Sequence, residues 1–210
     1  MSDASSLWVE LIKVSPSLLM ALVVIVLLIA NADAIARLLK KASKVSALGI
    51  EIEASAASLD KAVELRGLDN VVSHRARMAV LRRLSANAAL LRGARVLWVD
   101  DQPPNNRNER ALLETLELRI DLATTSAAAE QFLRNHHYLL MLTDVRREGR
   151  PDEGIRFVQG LPAKGLLLPA IGYVGTDQGG LARPAFFFGM TNRPDELMQL
   201  VCDVAQREGV

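Results

Sequence analysis

Short apolar segments alternate with helical ones from Arg95 to the end of the chain, and this alternation most limits what the chain can fold into. Apolar strands separated by helices form a parallel sheet that is covered on both faces. The predicted strands are Arg95–Asp101, Arg119–Thr124, Tyr138–Asp144, Pro169–Gly175 and Ala185–Gly189. The predicted helices are Asn106–Leu116, Ser126–Arg134, Gly154–Leu161 and Pro194–Gln206, the last of them capped by Asn192. Residues 94–210 therefore form an α/β domain with a doubly wound, five-stranded parallel sheet.

Two of the predicted strands end in carboxylates: Asp100 and Asp101 end the first strand, and Asp144 ends the third. The carboxyl ends of parallel strands meet at one edge of the sheet, so the three side chains converge there. Like charges at that distance repel unless a cation or a proton neutralises them. Oxygen ligands with open positions suit Mg²⁺, so we expect Asp100, Asp101 and Asp144 to form a magnesium site.

On these residues the domain resembles the response-regulator receiver family, whose fold is the flavodoxin-like doubly wound sheet. The resemblance implies that Asp144 accepts a phosphoryl group, that Asp101 binds Mg²⁺ directly, and that Asp100 binds it through water. The hydroxyl expected after the fourth strand corresponds to Thr176, although it lies two residues later than the family alignment places it. A histidine kinase is the partner that such a phosphorelay implies.

The chain also departs from the family pattern. No lysine follows the fifth strand, where Gly189–Pro194 reads GMTNRP, so the usual contact to an acyl phosphate is missing. Arg146, Arg147 and Arg150 follow Asp144, and one of them could pair with phosphate instead. Only residues 176–184 join the fourth and fifth strands, which reduces the helix between them to a turn at most.

The N-terminal residues 1–41 contain a second constraint, because Leu18–Ala30 has no polar side chain. With its flanks, residues 16–36 make a helix of about 31 Å, which matches the hydrocarbon core of a bilayer. Lysine and arginine follow this segment and predict a single-pass helix in the inner (cytoplasmic) membrane, with the N-terminus outside and the α/β domain in the cytoplasm. A cleaved secretory signal and a buried soluble helix are the competing interpretations.

Residues 42–93 form a mainly helical linker with a predicted short strand at Leu48–Ala54 and a helix from a Ser73 cap to Leu91. That helix either packs on the α/β domain or dimerises through its leucines. Six arginines and no acidic residue lie between Val71 and Val99, which fits an anionic lipid surface or a solvated face. No nucleic acid is expected, because this segment has no aromatic residues interleaved with its arginines and no recognised DNA-binding motif.

The single cysteine and three histidines exclude an internal disulfide and offer no zinc-ligand spacing. The sequence predicts a membrane-anchored, receiver-like signalling protein that works without phosphate, through association with a protein or with itself. A Mg²⁺-dependent receiver phosphorylated at Asp144 and an oligomerising membrane effector are the alternatives. An enzyme is not expected, because no nucleophile and acid pair accompanies Asp144.

Overall fold

The structure is a computed structural model and describes Asn31, residues 53–175 and residues 184–209. Contacts divide the chain into Met1–Ile50 and Glu51–Val210, and the second unit is described below. No helix within the described residues is both long and apolar enough for a membrane crossing. The predicted transmembrane segment 16–36 lies outside them except for Asn31, which occupies an exposed turn where the prediction has helix.

Between residue 53 and the first strand, the structure describes two helices. Residues 53–65 are helical (α1), which contradicts the predicted strand at Glu53 and Ala54. Gly67 ends this helix region with a φ of 64°, a backbone conformation that glycine adopts without a steric cost. The second helix, α2, is His74–Leu91, and its Ser73 cap accepts a hydrogen bond from Ala76 N at 3.2 Å, as predicted.

The sheet is parallel throughout, and its strand order is β2-β1-β3-β4-β5. The strands are β1 (Arg95–Val99), β2 (Arg119–Ala123), β3 (Leu140–Thr143), β4 (Ala170–Tyr173) and β5 (Gly189–Thr191). The helices between and after them are α3 (Arg107–Thr115), α4 (Ser126–Asn135), α5 (Glu153–Gly160) and α6 (Pro194–Glu208). Short 3₁₀ helices at Pro103–Asn106 and Pro162–Lys164 flank α3 and α5. This order is that of the flavodoxin-like doubly wound fold, which confirms the predicted class.

The end of the sheet differs from the prediction. The fifth strand is Gly189–Thr191 rather than Ala185–Gly189, because a turn closed by Phe187 N and Pro184 O at 3.0 Å occupies most of the predicted range. Helix α6 starts at Pro194, whose fixed φ suits a first helical position. The cap position is therefore Arg193, and the predicted cap at Asn192 is wrong.

Both faces of the sheet are buried. Val96 and Trp98 point into one apolar cluster, which also contains Leu84 of α2, while Leu97 and Val99 point into a second cluster on the opposite face. The alternation follows from the period of two in a strand. Helix α2 thus belongs to the same core as the sheet, which agrees with the interpretation that it packs on the α/β domain.

Most arginines of the basic segment have acidic partners in the folded domain. Arg83 joins α2 to α6 through Asp203 at 2.5 Å, and Arg77 binds both Asp60 and Asp69 at 2.9 Å. Arg92 and Arg95 form further ion pairs with Glu117 and Asp121. These ion pairs neutralise much of the positive charge that could otherwise attract an anionic lipid surface.

Candidate functional site

The three predicted carboxylates meet at the carboxyl edge of the sheet. Asp100 and Asp101 follow β1, Asp144 follows β3, and the parallel pairing of Val99 with Thr143 aligns the ends of these strands. One oxygen from each of the three carboxylates lies within 4.8 Å of the other two. Asp100 is buried, Asp144 is half-buried and Asp101 is exposed. Their separation allows one small cation to contact all three.

Each carboxylate has a different hydrogen-bond environment. Asp100 accepts bonds from Gln102 N at 2.7 Å and from the Asn106 side-chain amide. Asp101 Oδ2 accepts a bond from Glu148 N at 2.9 Å, and Asp144 Oδ1 has a longer contact of 3.4 Å with Arg146 N. Backbone N–H groups of Arg146 and Val145 stabilise the ionised form of Asp144, against the effect of its burial.

The acidity of the trio reflects this environment. Burial and then the neighbouring charge of Asp100 raise the pKa of Asp144 to about 6. Burial also raises the pKa of Asp100, although the hydrogen bond from Gln102 opposes that shift. A cation in the cluster would stabilise the ionised forms that burial and mutual repulsion disfavour.

The loop after Asp144 is fixed by a buried arginine. Arg147 Nε donates to the Asp144 carbonyl oxygen at 2.9 Å, and its Nη2 lies 3.3 Å from Ser126 Oγ. Nη1 has no hydrogen-bond partner among the described residues, although it lies 3.7 Å from Glu148 Oε1. Arg150 instead pairs with Glu153 at 3.2 Å. One of Arg146, Arg147 and Arg150 was predicted to replace the family lysine, and Arg146 and Arg147 line the acidic cleft.

The loop itself turns tightly. Arg147 and Arg150 exchange backbone hydrogen bonds of 3.1 and 2.9 Å, and both residues between them have positive φ, 54° at Glu148 and 74° at Gly149. Two positive φ values between such a pair define a type I′ turn. The non-glycine residue in this conformation, Glu148, is the one whose N–H reaches Asp101, so the strained backbone position contributes directly to the site.

The carboxylates form one side of a cleft of about 360 Å³, and Arg66 lies on its lining. This arginine, which follows α1, donates to Asn106 Oδ1 at 2.8 Å, Glu109 Oε1 at 3.3 Å and Val174 O at 2.9 Å. Its guanidinium carbon lies 4.0 Å from the centroid of the Tyr173 ring, a cation–π distance. No local pattern predicts a role for this residue, because its three hydrogen-bond partners are at least 40 positions away in the chain.

The tyrosine below this arginine is expected to stabilise the domain. Tyr173 is buried and donates to Glu109 Oε1 at 2.6 Å, and Glu109 is itself buried. We expect Tyr173→Phe to lower the free energy of unfolding by about 1.5–3 kcal/mol, because a buried carboxylate loses a hydrogen bond. Tyr138→Phe is the matched control, since Tyr138 donates to Asp121 at 2.8 Å but is only half-buried. Urea denaturation checks both, and an equal or larger loss in the control would contradict the prediction.

Thr176, the predicted hydroxyl, lies outside the described residues. The hydroxyl of Thr191 at the end of β5 donates to Glu196 Oε2 at 2.6 Å and accepts from Arg193 N at 3.0 Å, so it serves the start of α6.

No protein-family model matches the chain, and no curated protein matches it. Solved structures similar to it include the response regulator protein TrrA from Thermotoga maritima in complex with Mg²⁺-BeF, at 19% identity and a TM-score of 0.45, covering 53% of this chain and 98% of that one. A response regulator receiver domain protein from Clostridium thermocellum has 19% identity and a TM-score of 0.46, covering 55% and 97%. The response regulator PhyR from Brucella abortus has 19% identity and a TM-score of 0.47, covering 62% and 57%.

The assignment of the fold depends on the sheet itself. Its five parallel strands in the order β2-β1-β3-β4-β5, with aspartates after β1 and β3, give this chain a receiver-like α/β fold.

Proposed function

We propose that this chain is a receiver-like signalling module whose acidic cleft binds Mg²⁺ and whose output is association with a protein partner or with further copies of itself. The observation that carries the proposal is the convergence of Asp100, Asp101 and Asp144 within 4.8 Å. Mg²⁺ prefers a small number of carboxylates and keeps several water ligands, and the exposed Asp101 and half-buried Asp144 leave room for that water. When bound, the ion would supply a positive charge that attracts an anionic group to the cleft.

Phosphoryl transfer to Asp144 is the second candidate function. Asp144 is accessible from the cleft that Arg146 and Arg147 also line. In this reaction a carboxylate oxygen of Asp144 forms a bond to phosphorus, while the bond from phosphorus to the donor's leaving group breaks and the leaving group takes its electrons. A histidine kinase would be the natural donor. The sequence has no lysine after β5 to contact the phosphoryl group, which is why association without phosphate is the first proposal.

The proposed location depends on the sequence alone. The apolar run Leu18–Ala30 and the basic residues after it support a single-pass anchor at residues 16–36, with the α/β domain on the cytoplasmic side of the inner membrane. Such an anchor would confine partners of the domain to the membrane surface. Under the effector alternative, the cytoplasmic domain would instead oligomerise and bring several of these helices together.

Calorimetric titration of the full chain, in a mild detergent, with MgCl₂ tests the cation site. We expect saturable binding of one ion, and Asp101→Asn should weaken it at least about tenfold, because an exposed ligand is lost while the buried packing stays intact. Asp60→Asn removes another exposed carboxylate that does not line the cleft, and it should leave the affinity unchanged. Absence of binding, or equal affinities in wild type and Asp101→Asn, would exclude the proposed cation site.

A further inference from the structure

A chain of polar contacts links the acidic cleft to Arg66, the residue that follows α1. It starts at Asp100, which accepts a hydrogen bond from the Asn106 amide nitrogen. The oxygen of the same amide accepts from Arg66 Nη2 at 2.8 Å. Asp100 and Asn106 are both buried, and Arg66 has 15% of its side chain exposed. One side-chain amide therefore connects an arginine that follows α1 with a carboxylate of the proposed cation site.

The chemistry of the three groups fixes the orientation of the amide. A guanidinium can only donate and an ionised carboxylate can only accept, so Asn106 must turn its oxygen toward Arg66 and its nitrogen toward Asp100. Without Arg66, a buried amide oxygen would lose its partner, which costs free energy unless the side chain moves. Because Asn106 also bonds Asp100, such a movement would shift or loosen that carboxylate.

Arg66 is itself held rigidly. Its Nε lies 3.3 Å from the buried Glu109, its Nη1 donates to Val174 O at 2.9 Å, and its guanidinium stacks on Tyr173. These contacts join the end of α1 to α3 and to the residue after β4. Removing one partner of a buried ion pair strongly destabilises a protein, because the other charge stays buried without compensation. The position of Arg66 and the packing of α3 against β4 at the carboxyl edge of the sheet therefore depend on each other.

We propose that Arg66 is a positioning residue for the acidic cleft: acting through Asn106, it holds Asp100 ready for a divalent cation, so that cation binding and the docking of α1 strengthen each other. This inference rests on the proposed cation site. Coupling between two events is reciprocal, so the factor by which docked Arg66 raises the affinity for the cation is also the factor by which the cation favours docking. Helix α1 would in this way respond to whether the cleft is occupied.

The test compares Arg66→Met with Arg77→Met in the full chain. Both arginines are 15% exposed, and each has two side-chain partners. Arg77, however, binds Asp60 and Asp69 and does not line the cleft. We expect Arg66→Met to weaken Mg²⁺ binding about tenfold, the lower end of what residues supporting a metal ligand contribute, and Arg77→Met to leave it unchanged. Arg66→Lys should recover part of the affinity, since lysine can still donate to Asn106.

Two further measurements separate positioning from general loosening. In an Asn106→Ala background, Arg66→Met should cause no additional loss of Mg²⁺ affinity, because the connecting amide is gone. Saturating Mg²⁺ should also raise the hydrogen-exchange protection of residues 53–66 about tenfold in the wild type and not in Arg66→Met.

Each outcome decides between separate claims. A wild-type chain that does not bind Mg²⁺ would remove the proposed cation site itself. Binding by the wild type with the same affinity in Arg66→Met would overturn the inference about Arg66 alone. Equal weakening in Arg66→Met and Arg77→Met would also overturn it, because both variants would then act through the stability of the domain. Unchanged protection of residues 53–66 on saturation would overturn the reciprocal coupling.

Discussion

Replacing Gly154 with alanine is expected to lower the free energy of unfolding by about 3 kcal/mol and to displace the loop that carries Asp144. A Cβ at Gly154, near the start of α5, would lie 2.2 Å from the carbonyl oxygen of Asp144 and 2.9 Å from Val145 Cα. Both are backbone atoms, so no side-chain rotation relieves the overlap. The same carbonyl accepts the Arg147 Nε bond, and a shift there would break the contact that fixes the loop. Urea denaturation measures the loss of stability, and Mg²⁺ titration measures the damage to the site.

The same helix offers the matched control. Gly160 ends α5, and a Cβ there would meet no atom within 4 Å. Gly160→Ala should therefore stabilise the domain, by up to about 1 kcal/mol, because alanine has the higher helix propensity. If Gly154→Ala were as stable as the wild type and bound Mg²⁺ normally, the close packing of α5 on the Asp144 backbone would be wrong.

The local patterns of the sequence predicted most of the architecture. Strands that are buried on both faces have a distinctive apolar composition, so β1, β3 and β4 lie close to their predicted positions. The edge strand β2 and the helices α3 to α6 also lie close to theirs. The acidic cluster was predictable for the same reason, since the ends of parallel strands share one edge of the sheet. Each of these features depends on residues that are near one another in the chain or in the strand order.

The fifth strand was misplaced because tertiary packing overrides a local pattern there. The run Phe186–Phe188 is typical of a strand, yet only Gly189–Thr191 pairs with β4. A Cβ at Gly189 would lie 2.6 Å from a methyl carbon of Leu200, so the glycine lets α6 pack close to the sheet. The close packing of α6 on this glycine involves a helix further along the chain, and the strand propensities of residues 185–191 contain no information about it.

The polar group beside the acidic trio, made by Arg66, Asn106 and Glu109, was unpredictable for a different reason. Arg66, Asn106 and Glu109 belong to different elements and come together only when α1 docks. In the sequence, Arg66 is one basic residue in a helical linker, and Glu109 is an acidic residue in the first turn of α3, where such residues favour the helix dipole. Their partnership follows from the fold of the whole unit, in which the linker helices share the core of the sheet.

Replacing Asp144 with asparagine is expected to stabilise the cation-free protein near neutral pH and to abolish Mg²⁺-dependent modification. Burial and the charge of Asp100 raise the pKa of Asp144 from its ordinary 3.8 to about 6, so the folded state binds this proton more tightly than the unfolded chain does. The stability that the bound proton contributes is present below about pH 4 and is lost as the pH rises through 6. Asparagine keeps the shape without the charge, and it should restore about 2 kcal/mol at pH 7, once the solvent around this half-buried group is allowed for.

The two effects of Asp144→Asn have opposite signs, and this separates the role of the charge from damage to the fold. Urea denaturation at pH 4 and pH 7 without divalent cations should show similar stabilities for variant and wild type at the lower pH and a more stable variant at the higher one.

In the second measurement, Mg²⁺ with a small phosphodonor or beryllofluoride should change the intact mass or the Trp98 fluorescence of the wild type and leave those of the variant unchanged. Glu114→Gln removes an exposed carboxylate on α3 and controls for loss of charge alone. A variant less stable than wild type at pH 7 would refute the electrostatic argument, because repulsion within the trio would then not be what asparagine relieves. A stable variant beside a wild type that accepts neither phosphoryl group nor beryllofluoride would leave association as the function of this cleft.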